Sequence, residues 1–198
     1  MRVERLSVGR LKKIAIYGGT FDPIHHAHLI LARAAIETLD LDKVILVPAA
    51  ISPLKKSAPV ASGEVRLEML QAAIKGEPEF EANECELLRP PPSYTIDTVE
   101  EIRRLECDAS VYCLIGEDNV EQLPRWHRFA ELEKLVRFVV LDRSGKQPSH
   151  SYQLIHRRID ISATDIRRRV AQHESIRYLV PDSVDQIIQR EKLYREQP

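Results

Sequence analysis

The sequence has almost no net charge, few cysteines and no long apolar run, and each shortage argues against a class of protein. Across 198 residues, 29 Lys and Arg nearly cancel 30 Asp and Glu, leaving a formal charge of -1. A nucleic-acid binder held by overall basic charge is therefore not expected, although a local basic patch is compatible with the count. The longest stretch free of Asp, Glu, Lys and Arg is the eleven residues from Val44 to Leu54, well short of the ~20 that a membrane-spanning helix requires. The start, MRVERLSVGRLKK, lacks the apolar centre of a secretory signal. Cys85, Cys107 and Cys113 are odd in number and scattered, which argues against a disulfide framework. With no second pair beside Cys107 and Cys113, a structural zinc site is not expected either. The expectation is a soluble, cytoplasmic protein with reduced thiols.

What is present is ordinary globular usage, with 43% hydrophobic and 30% charged residues and no internal repeat. The length suits one domain, taken as residues 13–198 after an N-terminal extension of residues 1–12. Apolar runs alternate with amphipathic stretches. Lys13–Tyr17 (KIAIY) reads as a strand ended by Gly18 and Gly19, and Leu29 to Leu39 repeats apolar positions at helical spacing. Val44–Val47 (VILV), closed by Pro48, suits a strand buried on both faces. Ala49–Ser62, with two prolines and the pair Lys55-Lys56, is a long connection of the kind that is often functional. Further on, Glu64–Lys75 predicts a helix, Phe80–Asn83 a strand, and Ser93 the cap of a helix over Thr95–Leu105. Ser110–Ile115, Phe138–Leu141 and Arg158–Ile161 predict strands. A helix is expected from near Thr164, and Pro181 opens a last one ending near Leu193. Strands interleaved with helices imply a parallel sheet covered on both sides, with ligands at the carboxyl ends where the strand order reverses.

The densest feature is GGTFDPIHHAH, Gly18 to His28. It matches neither the dinucleotide fingerprint nor the P-loop. Two glycines allow close backbone approach, and amides at a helix start attract a phosphate. His25 and His28, three apart, share a face on a first helical turn and can reach one anion. A turn with surface histidines and a metal-binding pair are the competing readings. In ISATDIRRRV (Ile161–Val170), Ser162 and Thr164 can cap the following helix, and Arg167 can reach the same helix-start anion. Arg168 and Arg169 are expected to face solvent. In GEDNVEQLPRW (Gly116–Trp126), Asp118 is placed to accept hydrogen bonds from a ribose or to cap a helix. Trp126, the only tryptophan, is core by default and a stacking surface for a flat ring by context.

GGTFDPIHHAH resembles the first signature of the HIGH-type nucleotidyltransferases, and within them the nicotinate-nucleotide adenylyltransferase family. ISATDIR resembles the second signature. PSYTIDTV (Pro92–Val99), LIGEDNVEQLPRWHRFAEL (Leu114–Leu132), LDRSG (Leu141–Gly145), YLVP (Tyr178–Pro181) and KLY (Lys192–Tyr194) follow in the family's order. With the strand and helix pattern, the resemblance implies an α/β fold: a Rossmann-like, doubly wound, three-layer parallel sheet with a small C-terminal helical part. It implies transfer of AMP from ATP to nicotinic acid mononucleotide, giving deamido-NAD and pyrophosphate. By the same resemblance His25, His28, Lys55 and Arg167 are catalytic, and Gly18, Gly19, Thr20, Phe21, Ser162 and Thr164 bind ATP. Thr95, Trp126 and His127 receive the nicotinate ring and carboxylate, and Asp118 a ribose. Mg2+ is expected to arrive on the phosphates of ATP, without a protein metal cage. A homo-oligomer is compatible with the sequence.

Two departures stand out. Ala27 occupies the family's usual Gly, where a methyl would crowd the adenosine, and Ser52 and Leu54 replace a Pro and a His in the element that ends on Lys55. Two other functions are weighed: transfer to nicotinamide mononucleotide, and nucleotide binding without turnover.

Overall fold

The run KKIAIYGG forms the central strand, β1 (Lys12–Gly19), and its alternation decides which side chain faces which core. Ile14 and Ile16 enter one apolar cluster, Ala15 and Tyr17 the other. The computed structural model describes residues 10–50, 58–145 and 150–195. After β1 come α1 (His26–Leu39), β2 (Lys43–Pro48), α2 (Gly63–Ala73), β3 (Phe80–Ala82), α3 (Cys85–Leu88) and α4 (Thr95–Leu105). Then follow β4 (Ala109–Gly116), a 3-10 helix (Glu117–Arg125), α5 (Phe129–Leu135), β5 (Arg137–Asp142), β6 (Gln153–His156), α6 (Ala163–Ala171) and α7 (Asp182–Arg190).

Every strand pairing is parallel, in the order β3-β2-β1-β4-β5-β6. The chain winds outward from β1 through β2 to β3, then returns to lay β4 against the other side of β1. The order therefore reverses between β1 and β4, and connections leaving their carboxyl ends diverge to opposite faces, which opens a crevice. On one face, α1, α2, α6 and α7 bury Leu31, Ala35, Met69, Leu70, Ile166 and Ile188 against the sheet. On the other, α4 and α5 bury Ile96, Val99, Ile102 and Leu132. These two cores make three layers, the doubly wound α/β architecture that the strand and helix pattern implies. The C-terminal helices α6 and α7 continue the layer of α1 and α2.

Three local expectations are corrected. Arg158–Ile161 is not a strand; the sixth strand is β6, where Leu154 and Ile155 alternate onto the two cores. Ile159 and Ile161 imitate a strand in sequence, but they lie in a stretch whose backbone bonds to the β5 loop instead, through the Ile159 amide to the Arg143 carbonyl at 3.3 Å. Ser93 does not cap α4. The cap is Tyr94, and the Ser93 hydroxyl accepts from Arg89 at 2.8 Å. Lys12, counted with the extension above, is the first residue of β1, and Arg10 is paired with Asp40 at 2.6 Å and Asp42 at 2.8 Å. Among the described residues no helix is long and apolar enough to cross a membrane.

Candidate active site

A cleft of about 1090 Å³ opens at the carboxyl ends of β1, β4 and β5, where the strand order reverses. One wall is the turn after β1, with Gly18, Gly19, Thr20, Phe21, His25 and His28. Facing it are Asp118 after β4, Arg143 after β5, and Ser162, Thr164 and Arg167 at the start of α6.

The two glycines of the first turn do different work. A Cβ on Gly18 would meet nothing within 4 Å, so this backbone borders open cleft. A Cβ on Gly19 would stand 2.8 Å from the Phe21 ring, so the second glycine makes room for the protein's own aromatic. Phe21 itself takes a left-handed backbone (φ 48°) and sets its ring edge-on to His28, centroids 5.1 Å apart. His25 is the residue before α1, and its imidazole stacks on that of His28 at 3.7 Å and 18°. The His25 amide donates to His28 Nδ1 at 3.3 Å, an arrangement that leaves the neutral-form proton on His28 Nε2. His25 is 1% exposed, and its Nδ1 has no partner among the described residues. Burial, then the charges of Arg143 and His26, push its pKa down to about 3, so the ring is neutral near pH 7.

The amides at the start of α1 are less available to an anion than the sequence suggests. That of His26 donates to the Leu179 carbonyl at 3.0 Å, and that of His28 back to His25 at 3.0 Å. The chain before α7 crosses the helix start and takes one of the orphan donors. What the helix still offers an anion is the positive end of its dipole.

Across the cleft, Ser162 caps α6, its hydroxyl accepting from the Asp165 amide at 3.2 Å. Arg167 donates to the Asp22 carbonyl at 2.7 Å and to the Thr164 hydroxyl at 3.4 Å. Thus it spans from α6 to the first turn rather than reaching out alone. Arg168 and Arg169 point elsewhere and pair with Asp165 at 2.7 and 2.8 Å. After β5, Asp142 is 2% exposed. Burial alone would raise its pKa, but the amide and hydroxyl of Ser144, then His156 and the Gly145 amide, hold it below the ordinary carboxylate value. The tethered loop carries Arg143, which donates to the Ile161 carbonyl at 2.8 Å. At the end of β4 a Cβ on Gly116 would collide with Asp118 Oδ1, so this glycine lets the Asp118 carboxylate fold back beside the strand. Tyr17 completes the floor, its phenol pushed up by burial and kept protonated.

Of the sequence-predicted residues that are described, the structure brings ten onto one cleft and leaves three apart. Thr95, Trp126 and His127 are not on its walls. Thr95 opens α4, next to Tyr94, whose ring stacks on His127 at 4.2 Å. Trp126 ends the 3-10 helix, half-buried on the second core, with Phe138 edge-on at 6.2 Å. Lys55, with Ser52 and Leu54, lies outside the described residues. Ala27 is wholly buried and absent from the cleft wall, so the expected crowding of a nucleotide by its methyl has no basis in this geometry. Sequence reasoning missed Asp142 and Arg143, although LDRSG contains both, because a strand-ending Asp reads as an ordinary turn residue. It also missed the buried Arg66 and the pairing of Asp22 with Tyr194, which are far apart in sequence and carry no spacing signal.

A doubly wound parallel sheet with a nucleotide-sized, arginine-bearing cleft at its switch point defines a nucleotide-binding α/β protein. The sequence matches the family model described as Cytidylyltransferase-like over residues 16–169. A relative in Methylacidiphilum infernorum, named "Probable nicotinate-nucleotide adenylyltransferase", is 43% identical and is covered over 92% of both chains. One of the same name in Shouchella clausii is 40% identical, covering 93% of this chain and 97% of its own. The chain belongs to the nicotinate-nucleotide adenylyltransferases of the cytidylyltransferase-like family. In fold it is similar to the Plasmodium falciparum nicotinic acid mononucleotide adenylyltransferase complexed with NaAD, with a TM-score of 0.74, 19% identity, and 92% and 97% of the two chains covered.

Proposed function

We propose that this protein transfers the AMP moiety of ATP to the phosphate of nicotinic acid mononucleotide, releasing pyrophosphate and forming deamido-NAD. The observation that carries the proposal is the facing of two helix starts across one cleft: the stacked His25 and His28 at the start of α1, and Ser162, Thr164 and Arg167 at α6, joined by the Arg167 bond to Asp22. Family membership gives that geometry its chemistry.

The attacking group is a phosphate oxygen whose second pKa is ~6, so it is already charged near neutrality and needs no general base. In-line attack on the α-phosphate calls for alignment of two polyanions and for donors aimed at the phosphoryl oxygens. His25, neutral in its buried position, serves as an uncharged donor or a packing support for His28. The positive charge then has to come from Arg167, Arg143, the α1 dipole, Lys55 and Mg2+ carried on ATP. Among the described residues no group of three or more His, Cys, Asp or Glu is spaced to hold a metal. Asp118 would bind a ribose. The 3-10 helix leads from it to Trp126, beside which His127 and Thr95 would receive the nicotinate ring and carboxylate. The chain from β1 onward would act as one catalytic domain.

Pyrophosphate release with ATP, Mg2+ and either mononucleotide tests this. The acid is expected to exceed the amide in kcat/KM by about a hundredfold or more, since a site built for a carboxylate leaves its donors unpaired with an amide. Preference for the amide would transfer the proposal to nicotinamide mononucleotide. ATP binding with no release from either substrate would leave a nucleotide-binding protein without turnover.

A further inference from the structure

Behind the first turn lies a buried polar cluster that substrate contact does not explain. Asp22 is 4% exposed. Its Oδ2 accepts the Val60 amide at 2.8 Å, and its Oδ1 accepts the Ala61 amide at 3.2 Å and the Tyr194 hydroxyl at 2.7 Å. Its backbone carbonyl accepts Arg167 at 2.7 Å. Beside it Arg66, 2% exposed, donates to the carbonyls of Thr20 at 2.8 Å, Ala49 at 2.7 Å and Ala61 at 3.3 Å. A buried carboxylate thus takes amides, and a buried guanidinium carbonyls, from the same pieces of chain. The turn after β1 is fastened to both described ends of the β2–α2 connection.

Tyr194 enters this cluster from the last described segment, 172 positions away in sequence. It is 7% exposed and holds a left-handed backbone with φ 59°, a conformation that costs energy for an aromatic residue. Packing alone would need only the ring; the hydroxyl is spent on Asp22.

We infer that Tyr194 is a positioning residue for the phosphate-transfer reaction: acting through Asp22, it fixes the turn that carries His25 and the guanidinium of Arg167. The inference rests on the nucleotidyl-transfer function proposed above. Without the hydroxyl, Oδ1 keeps one donor and the carboxylate gains freedom to turn. Small displacements of groups that align substrates are costly in rate.

The test is Tyr194→Phe in the full chain, read by kcat, by ATP affinity from calorimetry, by melting temperature and by amide exchange. Loss of one buried hydrogen bond should lower kcat about tenfold and weaken ATP binding several-fold. Exchange at Val60 and Ala61 should accelerate while β1 and β4 stay protected. Asp22→Ala, which removes the acceptor, should cost more, and adding Tyr194→Phe to it should cost nothing further, because the hydroxyl acts only through that carboxylate. Unchanged kcat and ATP affinity with a lowered melting temperature would make Tyr194 a packing residue and overturn the inference. Additive losses in the double variant would also overturn it. A wild-type protein that binds ATP but releases no pyrophosphate would overturn only the proposed reaction; ATP affinity and Val60 and Ala61 exchange would still decide the role of Tyr194.

Discussion

The turns that leave β1 and β4 start from neighbouring strands and face the same cleft, yet they are held in opposite ways. Around the turn after β1, Asp22, His25 and, from α2, Arg66 are each at most 4% exposed, and hydrogen bonds arrive from residues 49, 60–61, 167, 179 and 194. After β4, the chain coils at once into a 3-10 helix whose residues, Leu123 apart, are exposed or half-buried, held by local contacts such as Asn119 to Asp118 at 3.2 Å and by His150 on Glu117 at 3.0 Å. A cradle over-determined from many directions suits a triphosphate, whose reacting atoms need one geometry. A lightly held turn suits ribose and ring recognition, where adjustment costs little. Under the proposed reaction, rigidity would be concentrated where alignment sets the rate.

The largest expected effect breaks this contrast most directly. His28→Ala should lower kcat/KM about a hundredfold to a thousandfold, mostly through kcat, the loss typical of a donor lost from a charge-stabilising site. Asp118→Ala, across the cleft, should instead raise KM for a nucleotide substrate about tenfold and leave kcat within a few-fold. Steady-state kinetics of both variants check this. The same split between kcat and KM for both would mean that the two turns share one role.

A second difference lies in proton linkage. His25 has a pKa of about 3 in the folded protein, lowered first by burial and then by Arg143 and His26, against 6.5 for the ordinary group. Between those values the unfolded chain binds a proton that the native ring refuses. Stability is therefore full above pH 6.5 and falls as the pH drops toward 3, with a slope of up to about 1.4 kcal/mol per pH unit from this group. Denaturant midpoints from pH 7 to 4 should be flatter for His25→Asn than for the wild type. Equal slopes would show that His25 protonates in place.

How far the sequence discloses this molecule follows the range of the interaction involved. Strand and helix periodicity is local, so β1, β2, β4 and β5 and the layering on both faces are legible from KIAIY, VILV, SVYCLI and FVVL. The motifs GGTFDPIHHAH and ISATDIR likewise reveal the two helix starts that meet across the cleft. What stays hidden is pairing over long separations. Nothing in the KLY segment says that Tyr194 donates to Asp22, and nothing near Arg66 says that a buried guanidinium binds three carbonyls. The orphan amide of His26 looks available until the Leu179 carbonyl is found upon it. The strand placed at Arg158–Ile161 errs for a related reason: Ile159 and Ile161 have β character, but the edge position beside β5 is already taken by Gln153–His156.

Ala27 gives the smallest effect and sharpens the comparison at the start of α1. It has no exposed surface and does not border the cleft, so its methyl packs inward. Ala27→Gly removes that methyl and adds backbone freedom in the first helical turn, a destabilisation of about 1 kcal/mol. The expected outcome is a melting temperature lower by a few degrees, with the KM for ATP unchanged within about twofold because no nucleotide contact is altered. Differential scanning calorimetry beside steady-state kinetics separates the two quantities. A marked fall in that KM would mean that bound nucleotide presses on the start of α1, and that the rigid turn closes further around its ligand than its buried contacts imply.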